Sequence, residues 1–466
     1  MAPSCKHNQN HSQHAHQLPQ QVVVVVVPFP AQGHLNQLIH FSRLISSYNI
    51  PVHYITTTIH SLQVNFRLHG FKSTNNIQFH EFSTPIFNFP TSKNNPNSST
   101  KGKFPSHLQP SSQISSNLRN PVAKILRALS HKARRIVIIH DSLMGSVVQD
   151  YCDIPNAEAY TFHSVSAFTL FLYVWESLGR PFCIDTDIIK DLPSIEGCFT
   201  PEFNKFVQSE HKYSKLNSGK IYNTSRVFEG PFLDLLWKEQ INKGKKQWAL
   251  GPFNPIAISG PNQQRHKSLT WLDKQVAKSV IFVSFGTTTS FSDEQIKEIA
   301  IGLEQSQQKF IWVLRDADKE NVFSKDFAEK IKLPEGYEER VRERGVVVRD
   351  WAPQLEILAH TSTGGISMGV PLAAWPMHSD QPRNTVLITK ILKVGLVIKD
   401  WAPDQEELVA SNKIEKVVRT LMASQEGEEM TKRVQELSFG VKKAMGEGGV
   451  TKNEFDSFIA HITRAI

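Results

Sequence analysis

Hydrophobic positions near the start of the chain change from a compact run to a helical spacing. Val22–Val27 is a run of valines too short for a helix, and its uniformly apolar, β-branched composition predicts a strand buried on both faces of a parallel sheet. Residues 51–56 are typical of a second strand. Between them lie a loop at 28–33 and apolar residues at helical spacing, namely Leu35, Leu38, Ile39, Leu44 and Ile45. The segment therefore predicts a β-α-β unit.

The same alternation continues along the chain, with helical periodicity between several of the short apolar runs. Further strands are predicted at 136–139, 280–285, 310–314, 346–348 and 372–375. Strands that alternate with helices are typical of an α/β fold, and here we expect doubly wound parallel sheets.

Three stretches interrupt this pattern. Residues 1–21 are polar and rich in histidine, which predicts a disordered tail. Residues 87–116, rich in Pro, Ser and Asn, predict a surface loop, and 251–268 predicts an interdomain linker. We therefore expect two Rossmann-like domains, 22–250 and 269–466, facing each other across a cleft. The C-terminal helix is a candidate for packing back on the first domain.

Composition narrows the classes of function. The 466-residue chain has 52 lysines plus arginines and 44 aspartates plus glutamates, and its net charge of +8 is spread along the sequence. This distribution predicts a solvated surface and no nucleic-acid-binding stripe.

The longest apolar run falls well short of the roughly 20 residues that span a bilayer, so we expect neither a membrane span nor a signal peptide. Four cysteines without a CxxC pair predict no disulfide framework or zinc site, and indicate the cytoplasm.

Two polar residues follow predicted strands, where ligands collect in parallel sheets. His34 comes after the first strand and its loop, and an imidazole there is suited to take a proton from a substrate hydroxyl. Asp141 follows the strand at 136–139 and would stabilise the resulting imidazolium if the two strands are neighbours. The alternative interpretation is a helix-capping aspartate and a hydrogen-bonded loop histidine.

The second half contains a candidate phosphate site and lacks several known motifs. Residues 284–290, SFGTTTS, follow a strand and precede a helix whose start is signalled by Ser292 and Gln295. Neither GxGxxG nor GxxxxGK[ST] occurs, which disfavours dinucleotide and P-loop chemistry. A GxSxG match at 365–369 is followed by a predicted strand, whereas a hydrolase nucleophile elbow needs a helix there.

Two long stretches, WAPQLEILAH at 351–360 and AAWPMHSDQPRN at 373–384, resemble the sugar-nucleotide signature of plant family 1 UDP-glycosyltransferases. The stretches PFPAQGHLNQ, IHDSLM, TFHSVSAF, IYNTSRVFEGP, WALGPFNP, VSFGTTTS, KFIWVLR and EGGV are similar to the zeatin O-glucosyltransferase branch, and the resemblance covers nearly all of 22–466. It implies a GT-B fold and an inverting enzyme without a metal or other cofactor. The implied reaction moves glucose or xylose from a UDP-sugar to the hydroxyl of a small hydrophobic acceptor, a zeatin-type cytokinin. Since two domains build the cleft, we expect a monomer.

The resemblance also implies roles for individual residues. His34 would be the base that deprotonates the acceptor, and Asp141 the carboxylate that supports it. In the second half, the UDP-sugar would be bound by Ser284 and Thr287 near the phosphates, Trp351 and Ala352 at uracil, Gln354 at ribose, and Asp380 and Gln381 at the sugar hydroxyls.

One departure from the family pattern lies between Gly365 and Ile366. The family has a segment there that follows roughly F-x-S-H-C-G-W-N-S-x-x-E-S, and about 13 of these positions have no counterpart in this chain. The interval 361–371 is too short for a strand and a crossover helix, a connection that takes roughly a dozen residues or more. Two explanations stay open: a gene model that skipped an in-frame stretch, or a real deletion. The deletion predicts a catalytically impaired homologue that only binds the acceptor.

Overall fold

A computed structural model of the chain describes residues 21–61, 76–83, 104, 108–184, 190, 192–254, 265–286, 291–314, 332–349, 352–360, 369–402 and 407–465. Within these ranges parallel strands alternate with helices, so the predicted α/β class is confirmed. No helix in the described ranges has the length and apolar character needed to cross a membrane.

The first half of the chain is built on a sheet of seven parallel strands. They are β1 (Val22–Val27), β2 (Val52–Thr57), β3 (Ile77–Phe82), β4 (Arg135–Asp141), β5 (Ala157–His163), β6 (Gly219–Tyr222) and β7 (Lys246–Ala249). The spatial order is β3-β2-β1-β4-β5-β6-β7. The valine strand is therefore an inner strand between β2 and β4, and all of its residues are buried, as its composition predicts.

Helices cover both faces of this sheet. They are α1 (Gln32–Ser46), α2 (Leu108–Asn117), α3 (Arg119–Ser130), α4 (Gly145–Val148), α5 (Ala167–Ser177), α6 (Pro201–His211), α7 (Arg226–Trp237) and α8 (Glu239–Asn242), with 3₁₀ turns at Gln149–Asp153 and Lys212–Leu216. Side chains alternate between the faces of a strand. Val24 accordingly packs in the core with residues of α1, and Val25 in the core with residues of α3. The sheet is therefore doubly wound.

The second half contains two smaller groups of strands. They are β8 (Val280–Ser284), β9 (Lys309–Val313), β10 (Gly345–Val348), β11 (Leu372–Ala374) and β12 (Gly395–Val397). A three-stranded parallel sheet has the order β10-β9-β8, and β11 pairs in parallel with β12.

The helices of the second half are α9 (Lys267–Leu272), α10 (Asp293–Ser306), α11 (Tyr337–Val341), α12 (Gln354–Ala359), α13 (Gln381–Val386), α14 (Ser411–Ala423), α15 (Gln425–Met445) and α16 (Val450–Thr463), with a π-helical turn at Leu387–Ile391. The Ser292 hydroxyl accepts a hydrogen bond of 3.2 Å from the Gln295 backbone N–H at the start of α10. This cap is the helix start that the sequence predicts.

The prediction of a surface loop at 87–116 is wrong for its last part. Leu108–Asn117 forms α2, because Ile114 is completely buried there and stabilises a helix in a segment that is otherwise polar. Of the predicted linker 251–268, residues 255–264 lie outside the described residues, and its last two residues begin α9. The predicted tail also lies outside them, except for Gln21.

The last helix, α16, returns to the first sheet. The Phe458 side chain is completely buried, and its ring packs edge-on against Tyr160 and Trp248, at centroid distances of 5.7 and 5.2 Å. The C-terminal end of the chain is therefore part of the core of the first half.

We predict that Phe458→Ala lowers the free energy of unfolding by about 3–5 kcal/mol, since it leaves a cavity among aromatic rings. Phe439→Ala is the matched control: that ring is 70% exposed on α15, and its removal should change the value by no more than about 0.5 kcal/mol. Urea unfolding followed by tryptophan fluorescence measures both. Equal effects of the two substitutions would contradict the assignment of α16 to the core.

Candidate active site

A cleft of about 470 Å³ opens at the carboxyl ends of β1, β4 and β5. Ligands gather at this edge of open parallel sheets. Residues of the second half line its other side: Phe285, Gly286, Gln354, His378, Ser379, Asp380 and Gln381. The two halves of the chain therefore share one cavity.

His34 and Asp141 meet in this cleft. His34 lies in the first turn of α1, and Asp141 is the last residue of β4, the neighbour of β1. The distance from Nδ1 of His34 to Oδ2 of Asp141 is 2.7 Å. The aspartate side chain is completely buried, while 23% of the histidine side chain is exposed. The pair therefore has its carboxylate in the protein and part of its imidazole open to the cleft.

The hydrogen bonds of Asp141 determine which nitrogen of the His34 imidazole carries the proton. The second carboxylate oxygen, Oδ1, accepts a hydrogen bond of 3.0 Å from the Leu143 backbone N–H. Oδ2 therefore serves as the acceptor for His34, whose Nδ1 carries the proton. In a neutral imidazole this assignment leaves Nε2 with its lone pair, which is the atom able to accept a proton.

Burial and charge act on His34 in opposite directions. Burial by itself lowers the pKa of this histidine, since it disfavours the cation. The charge and the hydrogen bond of Asp141, with the charge of Asp380 across the cleft, outweigh it, and the pKa is raised above its ordinary value. The site therefore stabilises the imidazolium that forms when His34 takes up a proton.

Sequence reasoning missed a third member of this group, Ser164. Its hydroxyl lies 3.2 Å from Nδ1 of His34, and its backbone carbonyl accepts a hydrogen bond of 3.1 Å from Gln37 Nε2. Ser164 directly follows β5, as Asp141 ends β4, but no strand is predicted at 157–163 from the sequence, so the strand-end rule did not select it.

On the opposite side of the cleft, Asp380 and Gln381 stand at the start of α13. Burial raises the pKa of Asp380, although a hydrogen bond from Asn384 and the positive charge of His34 act in the other direction. The Gln381 side-chain oxygen accepts a hydrogen bond of 2.8 Å from the Met377 backbone N–H. The carboxyl group of Asp380 and the amide group of Gln381 thus line the cleft on the side opposite the His34 imidazole.

Asn384 connects the two sides of the cleft. Its Nδ2 donates to Asp380 at 2.8 Å, and its Oδ1 accepts from the hydroxyls of Ser166 and Thr169 at 2.7 and 2.9 Å. Ser166 is also the N-cap of α5 in the first half. The position of Asp380 is therefore tied to a helix of the other half.

The part of the cleft beside His34 is largely apolar. Its walls include Phe29, Leu143, Phe199, Phe203 and Val207, with the imidazoles of His60 and His163 among them. Tyr173 also lines this part, and its hydroxyl is buried without a hydrogen-bond partner among the described residues. An aromatic acceptor with polar ring atoms suits such walls. No sequence signal distinguishes Tyr173, which lies within an apolar helix.

The residues that the resemblance assigns to nucleotide binding do not all lie in the cleft. Gln354 lines the cleft, whereas Ser284 ends β8 and borders a second cavity. Ala352 is buried and packs in a core with residues of α9 and α12. Thr287 and Trp351 lie outside the described residues. Their roles stay predictions.

Side chains of the types that bind metal ions form no second candidate site in the part of the chain that the structure describes. No group of three or more His, Cys, Asp or Glu side chains there is arranged to hold a metal ion.

Comparisons with known proteins identify the family of the chain. Residues 20–255 match the family model "Glycosyltransferase, N-terminal domain", and 257–422 match "UDP-glucoronosyl and UDP-glucosyl transferase". The chain is 52% identical to a zeatin O-glucosyltransferase of Phaseolus lunatus, covering 95% of this chain and 97% of the relative. It is 49% identical to a zeatin O-xylosyltransferase of Phaseolus vulgaris, covering 95% and 98%. A cis-zeatin O-glucosyltransferase 1 of Zea mays is 34% identical over 95% and 98% of the two chains.

Solved structures share the fold. The chain superimposes on Phytolacca americana UGT2, complexed with UDP-2-fluoro-glucose and pterostilbene, with a TM-score of 0.74 at 24% identity, over 96% of this chain and 100% of the other. For Medicago truncatula UGT71G1, complexed with UDP-glucose, the TM-score is 0.70 at 24% identity, over 96% and 99%. The predicted GT-B fold is confirmed, and the chain belongs to the UDP-glycosyltransferase family.

Proposed function

We propose that this UDP-glycosyltransferase moves glucose, or alternatively xylose, from a UDP-sugar to the side-chain hydroxyl of a zeatin-type cytokinin, with inversion at the sugar. The observation that carries the proposal is the His34–Asp141 pair, at 2.7 Å, in a cleft whose opposite side presents Asp380 and Gln381. The names of the two Phaseolus relatives give zeatin as the acceptor of both, which supports zeatin as the acceptor here. The names differ in the sugar, so both UDP-glucose and UDP-xylose are candidate donors.

In the proposed reaction His34 is the general base. The acceptor hydroxyl gives its proton to Nε2 of His34 as its oxygen forms a bond to the anomeric carbon. The bond from that carbon to the β-phosphate oxygen breaks, and UDP leaves with the electron pair. Attack from the face opposite the leaving group inverts the anomeric centre. Asp141 stabilises the imidazolium through the hydrogen bond at Nδ1.

The donor side is proposed to hold the sugar through the side chains at the start of α13. Asp380 accepts hydrogen bonds as a carboxylate, and the Gln381 amide has donors left because its oxygen is engaged with Met377. We retain Ser284, Thr287, Trp351, Ala352 and Gln354 as proposed contacts of the nucleotide. Metal-independent catalysis and a monomeric state are also proposals, as is a cytoplasmic location, which the exposed thiols of Cys152 and Cys183 favour.

The direct test is product formation by the full chain from UDP-glucose or UDP-xylose with trans- and cis-zeatin, detected by mass spectrometry. Isopentenyladenine is the matched negative control, since it lacks the side-chain hydroxyl. Transfer to zeatin alone supports the proposal. Zeatin binding by calorimetry without transfer from either donor would instead support the acceptor-binding homologue.

We predict that His34→Gln lowers kcat by about 10²–10⁴-fold and changes both KM values little, because a general base acts on the chemical step. The matched control is His131→Gln, at an exposed histidine that follows α3. Steady-state kinetics with zeatin and the better donor measure both. A large increase in KM at unchanged kcat would assign His34 to binding instead.

The raised pKa of His34 predicts the pH dependence of the reaction. The base works only when deprotonated, so kcat/KM should fall as the pH drops through a value above the ordinary imidazole pKa of about 6.5. The Asp141→Asn substitution removes the charge that raises the pKa of His34, while burial still lowers that pKa. The acid limb of the kcat/KM profile should therefore move to lower pH. Profiles from pH 5 to 9 measure both enzymes. An acid limb that stays in place would exclude His34 as the titrating group.

We also predict that Asn384→Ala lowers kcat/KM for the UDP-sugar by about 10-fold or more, since hydrogen bonds to charged groups contribute about 1.5–3 kcal/mol. The substitution removes the contact to Asp380 and both hydroxyl contacts to the other half. Asn453→Ala, at an exposed asparagine near the start of α16, is the control. If the two variants have equal kinetics, Asn384 does not position the donor side.

A further inference from the structure

One face of α5 carries polar residues that contact α13. They follow one another at intervals of three, four and three residues, which places them on one side of a helix: Ser166, Thr169, Tyr173 and Glu176. The first two bind Asn384, and the last two contact Arg383, its neighbour in α13. We call these four residues the polar face of α5.

Arg383 makes the contacts at the C-terminal end of this polar face. Its Nη2 donates a hydrogen bond of 2.7 Å to Oε2 of Glu176. Its guanidinium group lies over the ring of Tyr173, at 4.5 Å from the ring centroid. The arginine side chain is 3% exposed and the glutamate side chain is 28% exposed. An ion pair whose cation is almost completely buried therefore joins α13 of the second half to α5 of the first.

The two contacts of α13 lie well apart along α5. Thr169, which donates to Asn384, precedes Glu176 by seven residues. An α-helix rises about 1.5 Å per residue, so the two points are about 10 Å apart. Contacts at two separated points fix the direction and the rotation of α13 as well as its distance from α5.

The first half also holds both ends of α13. Val386 and Leu387, at its C-terminal end, are buried in a core whose other buried members all belong to the first half. Just before the helix, the Ser379 backbone N–H donates a hydrogen bond of 2.9 Å to the carbonyl of Cys198. The position of α13 relative to His34 is therefore set within the first half, although α13 belongs to the second half by sequence.

The ion pair is a poor source of stability. Nε and Nη1 of Arg383 are buried and have no hydrogen-bond partner among the described residues. A buried cation that is only partly paired loses hydration, and apolar side chains of similar volume often stabilise such a position equally well or better. An ion pair adds a contact of defined length and direction, which apolar side chains do not supply. The contribution of Arg383 is therefore the orientation of α13.

We propose that Arg383 is a positioning residue for the donor sugar, which sets the rotation of α13 through its contacts with the polar face of α5. Asp380 and Gln381 precede it by three and two residues, so a rotation that releases the guanidinium group also turns their side chains. The inference rests on the proposed function, in which these two side chains hold the sugar hydroxyls. The residues proposed for the nucleotide lie outside α13, as Gln354 does on α12. Loss of Arg383 should therefore weaken binding of the sugar and leave binding of the UDP part unchanged.

Calorimetry on the full chain tests the proposal without relying on turnover, by comparing the Kd of UDP-glucose and of UDP-xylose with the Kd of UDP. In Arg383→Met the Kd of the tighter-binding UDP-sugar should rise roughly tenfold, as for the loss of about one hydrogen bond to the sugar. The Kd of UDP should change by less than about twofold. The matched control is Arg342→Met, at an exposed arginine that pairs with the exposed Glu339 at 2.7 Å, and it should change neither value.

Two further variants assign the effect to the contact with α5. Glu176→Met should reproduce the selective loss, and the double variant Arg383→Met/Glu176→Met should lose no more affinity than the weaker-binding single variant, because both residues act through one contact. The double variant leaves no unpaired charge at this contact. It should therefore unfold at no lower temperature than the unsubstituted chain, and it decides the test if a single variant fails to fold.

A loss of affinity for the UDP-sugar alone supports the proposal. Equal losses for the UDP-sugar and for UDP, or no loss for either, overturn it, and so does a double variant that fails to fold, since the pair would then be required for stability. If the unsubstituted chain binds a UDP-sugar but transfers nothing to zeatin, the proposed function fails while the affinities still test Arg383. An unsubstituted chain that binds neither UDP-sugar overturns both.

Discussion

The pairing of β1 with β4 is the constraint on which the site depends. Val27 lies opposite His140 in this register, so the next residue of β4, Asp141, ends its strand beside the loop that leads into α1. A shift of one residue would turn the Asp141 side chain to the other face of the sheet. The valines of β1 are all buried, which holds this strand inside the sheet between β2 and β4. A structural strand thereby determines the distance between an imidazole and its carboxylate.

Burial acts on the two sides of the cleft in opposite senses. It lowers the pKa of His34 and raises that of Asp380, because in each case it disfavours the charged form. The opposite charges of His34 and Asp380 counteract the effect of burial on both pKa values. Asp141 adds a charge and a hydrogen bond, and the pKa of His34 is raised overall. An imidazolium at His34 is therefore stabilised by the charges of two carboxylates, Asp141 and Asp380.

Within the described residues the first half has one sheet of seven strands, whereas the second half has a sheet of three strands and a separate pair. In the first sheet, the fourth strand separates the two directions in which the sheet is wound and delivers Asp141 to the cleft. In the second half, an apolar cavity lies between β8 and β11. The first half is thus built on a continuous sheet. The second half has two groups of strands that large aromatic side chains bridge, namely Phe285, Phe291 and Trp375.

Local pattern accounts for what could be predicted and for what could not. Five strands, β3, β5, β6, β7 and β12, and the helix α2 were not predicted. In particular GKIY, KQWA and the polar residues around Ile114 carry no clear period. Their neighbours in the fold stabilise them. Ser164 was missed because the strand that precedes it, β5, was not predicted. Tyr173 and Asn384 acquire their place through contacts between elements far apart in the chain.

By itself, the sequence determined the α/β class, the buried β1 strand and the family, since these follow from composition, periodicity and long motifs within continuous segments. It also selected His34 and Asp141 as candidates, since each follows a strand. Only the tertiary structure decided that the two lie 2.7 Å apart, because a separation of 107 residues contains no information about contact until β1 and β4 pair. For the same reason, only the fold revealed that Asn384 joins the two sides of the cleft and that an apolar cavity separates β8 from β11.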